Sequence, residues 1–342
     1  MLRLPALALL LVAAAALAAC AAPTPVPLDV AHVTDGPRDP DGPKVLVVVA
    51  HPDDDIAFAG VMYKNATHLG GATDVCVLTN GEGGFKYATL AEPVHGLELT
   101  DEEVGRRELP AIRRAEMVEG ARIMNVRRVM FFRQQDHRYT TDEGEILGEG
   151  AGVWAVDAVR ETLAEVMRRG DYDFLLTFFP SEGTHGHHKS AAILALQAAG
   201  DLSPDERPVA LGVRFVRGDD PPAAPEGLEG WAITDPLPGA PTFDFDRTQG
   251  FGHEGRLDYR IIVNWAIAAH RSQGTMQLFM GNTSERENYV VYQLLAEGAA
   301  PDDVDRALMR TGDWFERLAE PQYPGKTYGP SAGAPRERPP GG

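Results

Sequence analysis

Short apolar segments alternate with amphipathic ones through the middle of the chain. Residues 45–50 read Val-Leu-Val-Val-Val-Ala, a continuous run that predicts a strand buried on both faces. Apolar residues recur at helical spacing between Val153 and Met167, which predicts an amphipathic helix. The other predicted strands are residues 74–79, 128–132, 174–179 and 209–216, and the other predicted helices are residues 56–69, 103–124 and 188–199.

This alternation predicts an α/β fold with a Rossmann-like, doubly wound, mainly parallel sheet and helices on both faces. Residues 44–320 are expected to form one domain. Within it, residues 217–258 are rich in Pro, Gly and Asp and are predicted to be irregular, whereas residues 259–320 are predicted to be helical. Residues 321–342 have little apolar content and are predicted to be a disordered tail.

The N-terminus has the pattern of an export signal. Arg3 precedes an apolar run, so residues 1–19 are predicted to be a signal peptide. The run ends in Leu-Ala-Ala-Cys20, which resembles the lipobox of bacterial lipoproteins and implies that Cys20 carries a lipid anchor. Residues 20–43 are then expected to be a flexible tether. An uncleaved anchor and an ordinary secretory signal are the alternatives.

The expected location is therefore outside the cytoplasm, on a bacterial membrane. Ala21 follows the cysteine, a pattern that suggests the outer membrane if the host is Gram-negative. The formal charge of −18 argues against a nucleic-acid partner, which would require clustered Lys and Arg. Cys76 lies in an apolar run and is expected to be a small buried side chain. The oligomeric state is left open.

The first predicted strand continues into Ala50-His-Pro-Asp-Asp-Asp55, and a helix follows. A neutral imidazole from His51 and a carboxylate from Asp54 are suitable zinc ligands. Asp53 lies between them and could serve as a general base. The alternative is that these carboxylates cap the helix and interact with its dipole.

A second histidine-bearing loop, residues 180–188, follows the fourth strand of the domain. His185 and His188 are three residues apart, so a helical turn would place both on one face. His187 is expected to point away from them, although it is a rival ligand. Ligands in doubly wound sheets bind where the strand order reverses, so both loops should meet there. Three protein ligands would leave one zinc position open for catalysis.

These motifs resemble those of the PIG-L/LmbE-like N-acetylglucosamine deacetylases. The first motif of that family is Ala-His-Pro-Asp-Asp-Glu, which residues 50–55 match except that Asp55 replaces the Glu. The second is His-x-x-His, found here at residues 185–188. Residues 79–84, 113–116 and 269–273 resemble further family segments, and the matches extend over roughly residues 45–290.

The resemblance implies a role for each matching residue. His51, Asp54 and His188 would bind zinc, Asp53 would be the general base, and His185 would polarise the amide. The substrate-binding residues would be Arg113, Asp136 and His270, with Arg106 and Arg107 as rivals of Arg113. Two positions depart from the pattern. Gly183 stands where some members carry a Tyr, and the shorter Asp55 puts a supporting hydrogen bond in doubt.

The implied activity is zinc-dependent removal of an acetyl group from an N-acetylated sugar or glycoconjugate. Two alternatives remain open at this point. One is a lipoprotein that binds a sugar or a metal without catalysis. The other is a zinc amidohydrolase that acts on an amide outside sugars.

Overall fold

A computed structural model describes residues 24–36, 39–148, 150, 152–216 and 222–322 of the chain. Its strands are β1 (Asp29–His32), β2 (Lys44–Val49), β3 (Ala72–Thr79), β4 (Arg128–Gln134), β5 (Phe174–Phe178), β6 (Val209–Val216), β7 (Thr242–Asp246), β8 (Gly250–Phe251), β9 (Leu257–Asp258) and β10 (Arg286–Val291). The α-helices are Ala59–Tyr63, Glu92–His95, Glu102–Ile123, Gly144–Leu147, Val156–Gly170, Gly186–Gly200, Tyr259–Ala269, Gly274–Gln277 and Pro301–Ala319. Short 3₁₀ segments cover Asp54–Phe58, Glu82–Leu90, Ala232–Thr234, His253–Gly255 and Gln293–Ala296.

Eight of these strands form one mixed sheet in the order β1-β4-β3-β2-β5-β6-β10-β7. Strands β4, β3, β2, β5 and β6 are mutually parallel, and β1 and β10 pair with their neighbours in the antiparallel direction. Because the strand order reverses between β2 and β5, the sheet has the switch point that the alternating pattern predicted. The predicted α/β fold is confirmed.

Strand β2 separates two hydrophobic cores. Val45, Val47 and Val49 point into one core, and Leu46 and Val48 point into the other. The first core is covered by helices 102–123, 259–269 and 301–319, and the second by helices 156–170 and 186–200. A strand buried on both faces needs no polar alternation, which explains the uninterrupted apolar run in the sequence.

The helix predicted over residues 56–69 is broken into three types of turn. It runs as a 3₁₀ segment (Asp54–Phe58), an α-helix (Ala59–Tyr63) and a π-helix (Lys64–His68). Side chains from elsewhere compete for its backbone groups. Arg247 donates to the carbonyls of Ile56 and Ala57, and Glu287 accepts from the amide of Gly60. These bonds replace part of the regular helical ladder.

The tether prediction for residues 20–43 is wrong for the segment from Val26 to His32. Asp29–His32 forms β1, which pairs with β4 at the sheet edge. The backbone amide of Val26 already donates to Thr162 at 2.7 Å, and Asp29 forms ion pairs with Arg114 and Arg133. The segment is polar and rich in proline, yet an edge strand needs few apolar residues because one of its sides faces solvent.

The helical prediction for residues 259–320 is wrong in the middle. Arg286–Val291 is β10, which lies between β6 and β7 in the main sheet. Glu287 and Asn288 are fully buried there, and these polar residues concealed the strand in the sequence pattern. Arg247 pairs with Glu287 at 2.7 Å, and Arg214 donates to Asn288 at 2.7 Å, so both polar side chains are satisfied.

Several sequence predictions lie outside the described residues. They are the signal peptide at residues 1–19, the lipid anchor at Cys20 and most of the tail at residues 321–342. Within the described part of the chain, no helix has the length and apolar character needed to span a bilayer. Cys76 is fully buried in β3, as predicted.

Candidate metal centre and active site

The two histidine-bearing loops meet at one edge of the sheet. Strands β2 and β5 are parallel neighbours, with Val47 opposite Leu176. The loop containing residues 50–55 leaves the end of β2, and the loop containing residues 179–185 leaves the end of β5. The switch point therefore brings together side chains that are more than 130 residues apart in sequence.

The three predicted zinc ligands, His51, Asp54 and His188, form a tight donor set. Nδ1 of His51 lies 3.1 Å from Nε2 of His188 and 3.4 Å from Oδ2 of Asp54. Oδ1 of Asp54 lies 3.1 Å from the same His188 nitrogen. Two imidazoles and one carboxylate in this arrangement match the donors of catalytic zinc sites. The donor set fits a zinc ion.

Asp54 is held in place by the backbone and does not cap the helix. Its Oδ2 accepts hydrogen bonds from the amides of Ala50 and His51, at 3.1 and 2.8 Å. Burial alone would raise the pKa of Asp54, but His188 and His51 hold it well below its usual range. Asp54 is therefore an ionised ligand with a fixed orientation.

Asp53 has the opposite character, although it is the next residue. Its side chain makes no capping hydrogen bond at the start of the helical segment, so the capping alternative does not hold. Burial and the neighbouring Asp54 carboxylate raise the pKa of Asp53, and the nearby Arg113 only partly offsets them. Two adjacent carboxyls with divergent pKa values suit different roles, ligand for one and proton carrier for the other.

His185 lies beside the donor set with a free nitrogen. Its Nε2 is buried and has no hydrogen-bond partner among the described residues. Burial and the adjacent His51 and His188 lower the pKa of His185 to about 4, so the ring is neutral at pH 7. The exposed ring of Tyr139 stacks on it with centroids 4.9 Å apart. A neutral imidazole with an unused nitrogen can donate to a substrate oxygen.

His187 does not point away from the site, contrary to the sequence prediction. Its Nδ1 lies 3.2 Å from Nε2 of His51 and 3.3 Å from Oδ1 of Asp136. This is the nitrogen of His51 opposite to the one that faces Asp54. His187 and Asp136 thus engage the far side of the metal-binding imidazole, where outer partners fix ring orientation and tautomer.

Asp136 was predicted to bind substrate, but its oxygens are already engaged. Oδ2 accepts from the amide of Gly83 at 3.0 Å, and Oδ1 faces His187 and His51. Burial would raise the pKa of Asp136, but the surrounding His51, His187 and Arg113 lower it. The structure therefore places Asp136 behind His51, as an ionised group that orients the ligand.

Arg113 is buried with an unsatisfied guanidinium. Its three nitrogens have no hydrogen-bond partner in the described part of the chain, and the residue is 1% exposed. Gly81 and Gly84 pack against it so closely that a Cβ at either position would lie within 2.6 Å of the guanidinium. The rival Arg106 instead donates to the carbonyls of Asp136 and His137. The rival Arg107 is exposed and pairs with Glu108.

His270 was predicted to bind substrate, and in the structure it is buried against Asp55. Its Nε2 contacts Oδ1 of Asp55 at 2.9 Å, and both residues are completely buried. Asp55, although shorter than Glu, thus makes a supporting hydrogen bond. Glu116 holds the adjacent turn by accepting from the amide and hydroxyl of Ser272. His270 itself is not among the residues that line the cavity beside the donor set.

A cavity of about 900 Å³ opens directly onto the donor set. Asp54, His185 and His188 are among its lining residues. Phe178 lines it and stacks on the ring of His188, with centroids 4.7 Å apart. Its volume lies within the range of ligand pockets, about 300–1,000 Å³.

Sequence reasoning missed several contributors to the site. Phe178 and Tyr139 stack on two of the histidines, but single aromatic residues carry no recognisable signal. Glu82 accepts from the amide of Asp136 and keeps its second oxygen without a partner among the described residues. Glu82 could have been identified from the sequence, because it lies in the glycine-rich segment 79–84.

Comparison with known proteins agrees with the motifs. Residues 46–199 match the family model described as PIG-L, GlcNAc-PI de-N-acetylase. No curated protein matches the chain. One similar structure is an N,N'-diacetylchitobiose deacetylase from Pyrococcus horikoshii, with 19% identity and a TM-score of 0.47 over 76% of this chain and 88% of that one.

Two further structures have comparable similarity. Teicoplanin deacetylase Orf2 in a zinc-inhibited form has 14% identity and a TM-score of 0.42, over 73% of this chain and 97% of that one. GalB, the 4-carboxy-2-hydroxymuconate hydratase from Pseudomonas putida, has 18% identity and a TM-score of 0.43, over 73% and 95%. The family-model match covers both histidine-bearing motifs, and the resemblance seen in the sequence is confirmed: residues 46–199 of this chain form a PIG-L family domain.

Proposed function

We propose that the protein hydrolyses the acetyl amide of an N-acetylated amino sugar, with zinc held by His51, Asp54 and His188. The family match supports a deacetylase. Zinc dependence is supported by the short distances within the donor set. A sugar substrate is proposed because the matched family is described by an N-acetylglucosamine derivative.

In the proposed reaction, water attacks the acetyl carbonyl and the C–N bond breaks to give acetate and an amine. Zinc in this donor set supplies Lewis acidity, which makes water nucleophilic at neutral pH. Asp53 accepts the proton of the attacking water, since its pKa is raised and its side chain caps nothing. His185 donates its N–H to the oxygen on which negative charge develops. Asp53 then returns its proton to the leaving nitrogen.

One observation carries the proposal, namely the unpartnered Nε2 of His185 beside a three-residue donor set. A purely structural zinc site has four protein ligands and no need for an unengaged donor at its edge. His187 does not close the site, because it contacts the opposite nitrogen of His51. His185 itself is the rival for a fourth ligand, since its ring also lies within ligand distance of His51 and His188.

The test is acetate release from a panel of N-acetyl sugars, with and without a chelator and after zinc is restored. Activity that requires zinc is expected, and its absence on every N-acetyl sugar would refute the proposal.

The variant His185→Ala distinguishes the two roles of that residue. It should retain zinc and lose activity if His185 acts on the substrate, whereas loss of zinc would identify it as a ligand and favour a binding protein. His95→Ala, an exposed histidine far from the motif loops in sequence, is the control.

We also propose that the protein is exported and anchored through a lipid on Cys20. The support is the sequence alone, a basic and apolar leader that ends in Leu-Ala-Ala-Cys20. Mass spectrometry of the membrane-extracted protein should find a lipid-modified Cys20 at the N-terminus. A product that retains residues 1–19, or one cleaved at another position, would contradict the anchor. Cys20→Ser should release the protein from the membrane fraction.

A further inference from the structure

The cavity next to the donor set is far larger than an acetyl group requires. An acetyl contributes three non-hydrogen atoms, whereas the cavity of about 900 Å³ has room for a ligand of drug size. Asp54, His185 and His188 are part of its lining. A ligand that fills the rest of the volume would therefore lie close to the scissile amide.

The walls of this cavity are mainly apolar. Ile56, Phe178, Phe179, Val213, Val263 and Ile267 line it. Phe215 and Phe279 line the cavity while being 51% and 40% exposed, so they lie where it meets solvent. Large exposed aromatic side chains at a cavity are unfavourable in water unless a ligand covers them.

Three polar residues of the lining already have protein partners. Arg247 pairs with Glu287 and donates to two backbone carbonyls. Arg214 donates to Asn288 and to the carbonyl of Ala223. The Ser284 hydroxyl donates to the carbonyl of Val216 at 2.8 Å. A hydroxyl-rich sugar placed against the apolar walls would lose hydrogen bonds to water with few replacements from these three residues, which disfavours a sugar in this part of the cavity.

A second groove next to the apolar cavity is polar and acidic. It shares Ser181 and Glu226 with the cavity, and it also presents the carboxylates of Glu182, Glu229 and Asp235. Carboxylates accept hydrogen bonds from sugar hydroxyls and attract a cationic amine. The two neighbouring spaces thus match the two halves of an N-acylated amino sugar, an apolar acyl chain and a polar ring.

We infer that the site hydrolyses N-acyl chains longer than acetyl more efficiently than acetyl itself, and that the longer chain occupies the apolar cavity while the sugar lies toward the acidic groove. The inference rests on the proposed function, since it presumes that an N-acyl amino sugar is hydrolysed. It names the acyl group as the specificity-determining part of the substrate, with Phe215 and Phe279 as its contacts near solvent.

The test is a chain-length series on the zinc-loaded protein, with N-acetyl-, N-butanoyl-, N-hexanoyl- and N-octanoylglucosamine. The value of kcat/KM should rise about fourfold for each methylene until the cavity is filled, as expected for burial of hydrocarbon. Octyl N-acetylglucosaminide is the second arm, because it carries the same hydrocarbon on the other side of the sugar. If kcat/KM is higher for octyl N-acetylglucosaminide than for N-acetylglucosamine while the acyl series shows no rise, the acyl assignment is wrong. If neither the longer acyl chains nor the octyl group raises kcat/KM, the whole inference is wrong.

Two variants connect the effect to the cavity. Phe279→Ala and Phe215→Ala should each lower the octanoyl-to-acetyl ratio of kcat/KM by about tenfold, because each removes apolar contact with the chain. Leu278→Ala is the matched control, since Leu278 is 79% exposed and does not line the cavity. An equal fall in the ratio for Leu278→Ala would contradict the assignment.

A binding measurement separates failure of this inference from failure of the proposed function. Calorimetry with the Asp53→Asn variant compares N-octanoyl- with N-acetylglucosamine without turnover. Tighter binding of the octanoyl compound is expected even if no amide is hydrolysed. Equal affinity would refute the acyl cavity and would leave zinc-dependent acetate release as a separate result.

Discussion

Buried polar residues occur in two regions of this molecule, and the two groups differ in how they are satisfied. At the switch point between β2 and β5, His185 and Arg113 keep buried nitrogens without partners among the described residues. Around β10, Arg247, Glu287 and Tyr289 are equally buried, but Glu287 accepts from Arg247, from Tyr289 and from the amide of Gly60.

The difference indicates that the unpartnered polar atoms serve a functional site and that the fully bonded ones serve the fold. A buried polar atom without a partner destabilises the fold by about 1–3 kcal/mol, so it persists where a ligand or a metal completes it. A buried network with every member bonded fixes a unique packing arrangement and requires no ligand. Substitutions in the first region should therefore affect zinc and turnover, and substitutions in the second should affect stability.

The largest expected effect comes from removing a ligand at the switch point. His188→Ala should lose zinc and reduce turnover by more than about 10²-fold. Changing a residue that only supports a metal ligand costs up to about 10²-fold, and removing a ligand itself should cost more. Metal analysis and an acetate-release assay measure the two effects, with His95→Ala as control. Full zinc occupancy in His188→Ala would exclude His188 from the donor set.

Asp53→Asn should retain zinc and lose turnover by about 10²–10⁴-fold, the range for loss of a general base. Asn is almost isosteric but cannot accept the proton. Asp101→Asn is the matched control, because Asp101 does cap a helix, accepting from the amide of Val104, and Asn caps equally well. Near-normal turnover of zinc-loaded Asp53→Asn would remove Asp53 as the base.

In the second region, Glu287→Gln should leave the charge of Arg247 buried without its partner. Removing one member of a buried ion pair lowers the free energy of unfolding by about 3–5 kcal/mol. Urea denaturation measures this loss, and zinc content of the folded fraction should be unchanged. Asp201→Asn, which breaks the partly exposed pair with Arg160, should lower it by less than about 1 kcal/mol. Equal losses for the two variants would show that the buried Arg247–Glu287 pair stabilises the fold no more than a partly exposed pair, and a loss of zinc in Glu287→Gln would contradict the contrast between the regions.

The smallest effect concerns the pH dependence of zinc binding. Burial opposes the charged form of His51, but the Asp136 and Asp54 carboxylates raise the pKa of His51 to about 9 in the metal-free protein. Below that pH, zinc must displace a proton from its ligand. The association constant should therefore rise about tenfold per pH unit from pH 6 to 8 and level off near pH 9. Competition with a chelator at several pH values measures the slope, and a flat profile would show that His51 binds zinc without proton release.

Much of this arrangement was predictable because the parallel half of the sheet is governed by local patterns. The apolar run of β2, the polar motif after it and the histidines after β5 each appear within ten residues, and the switch-point rule brings them together. The α/β fold and the family followed from these segments. The structure then added which nitrogen of His51 faces which partner, a detail that depends on side-chain packing from several elements.

The remaining parts depended on contacts that are distant in sequence. The buried polar residues of β10 are tolerated because Arg247 pairs with Glu287 and Arg214 hydrogen-bonds Asn288. Neither arginine is recognisable from the segment 286–291 alone. His270 resembled a substrate contact, but its burial against Asp55 depends on how the late helix packs. β1 was missed because a polar, proline-rich segment predicts a tether unless the open edge of β4 is known.

If Cys20 carries the proposed lipid, the hydrogen bond between Val26 and Thr162 would limit how far the domain can lie from the membrane. Val26 is six positions after Cys20, and a fully extended chain covers at most about 3.3–3.6 Å per position, or about 20 Å in all. With Cys20 anchored as proposed, the domain would work within a thin layer above the lipid headgroups. Substrates that diffuse in the plane of the membrane would then reach it more readily than those kept at a distance, and the lateral density of the protein would matter more than its bulk concentration.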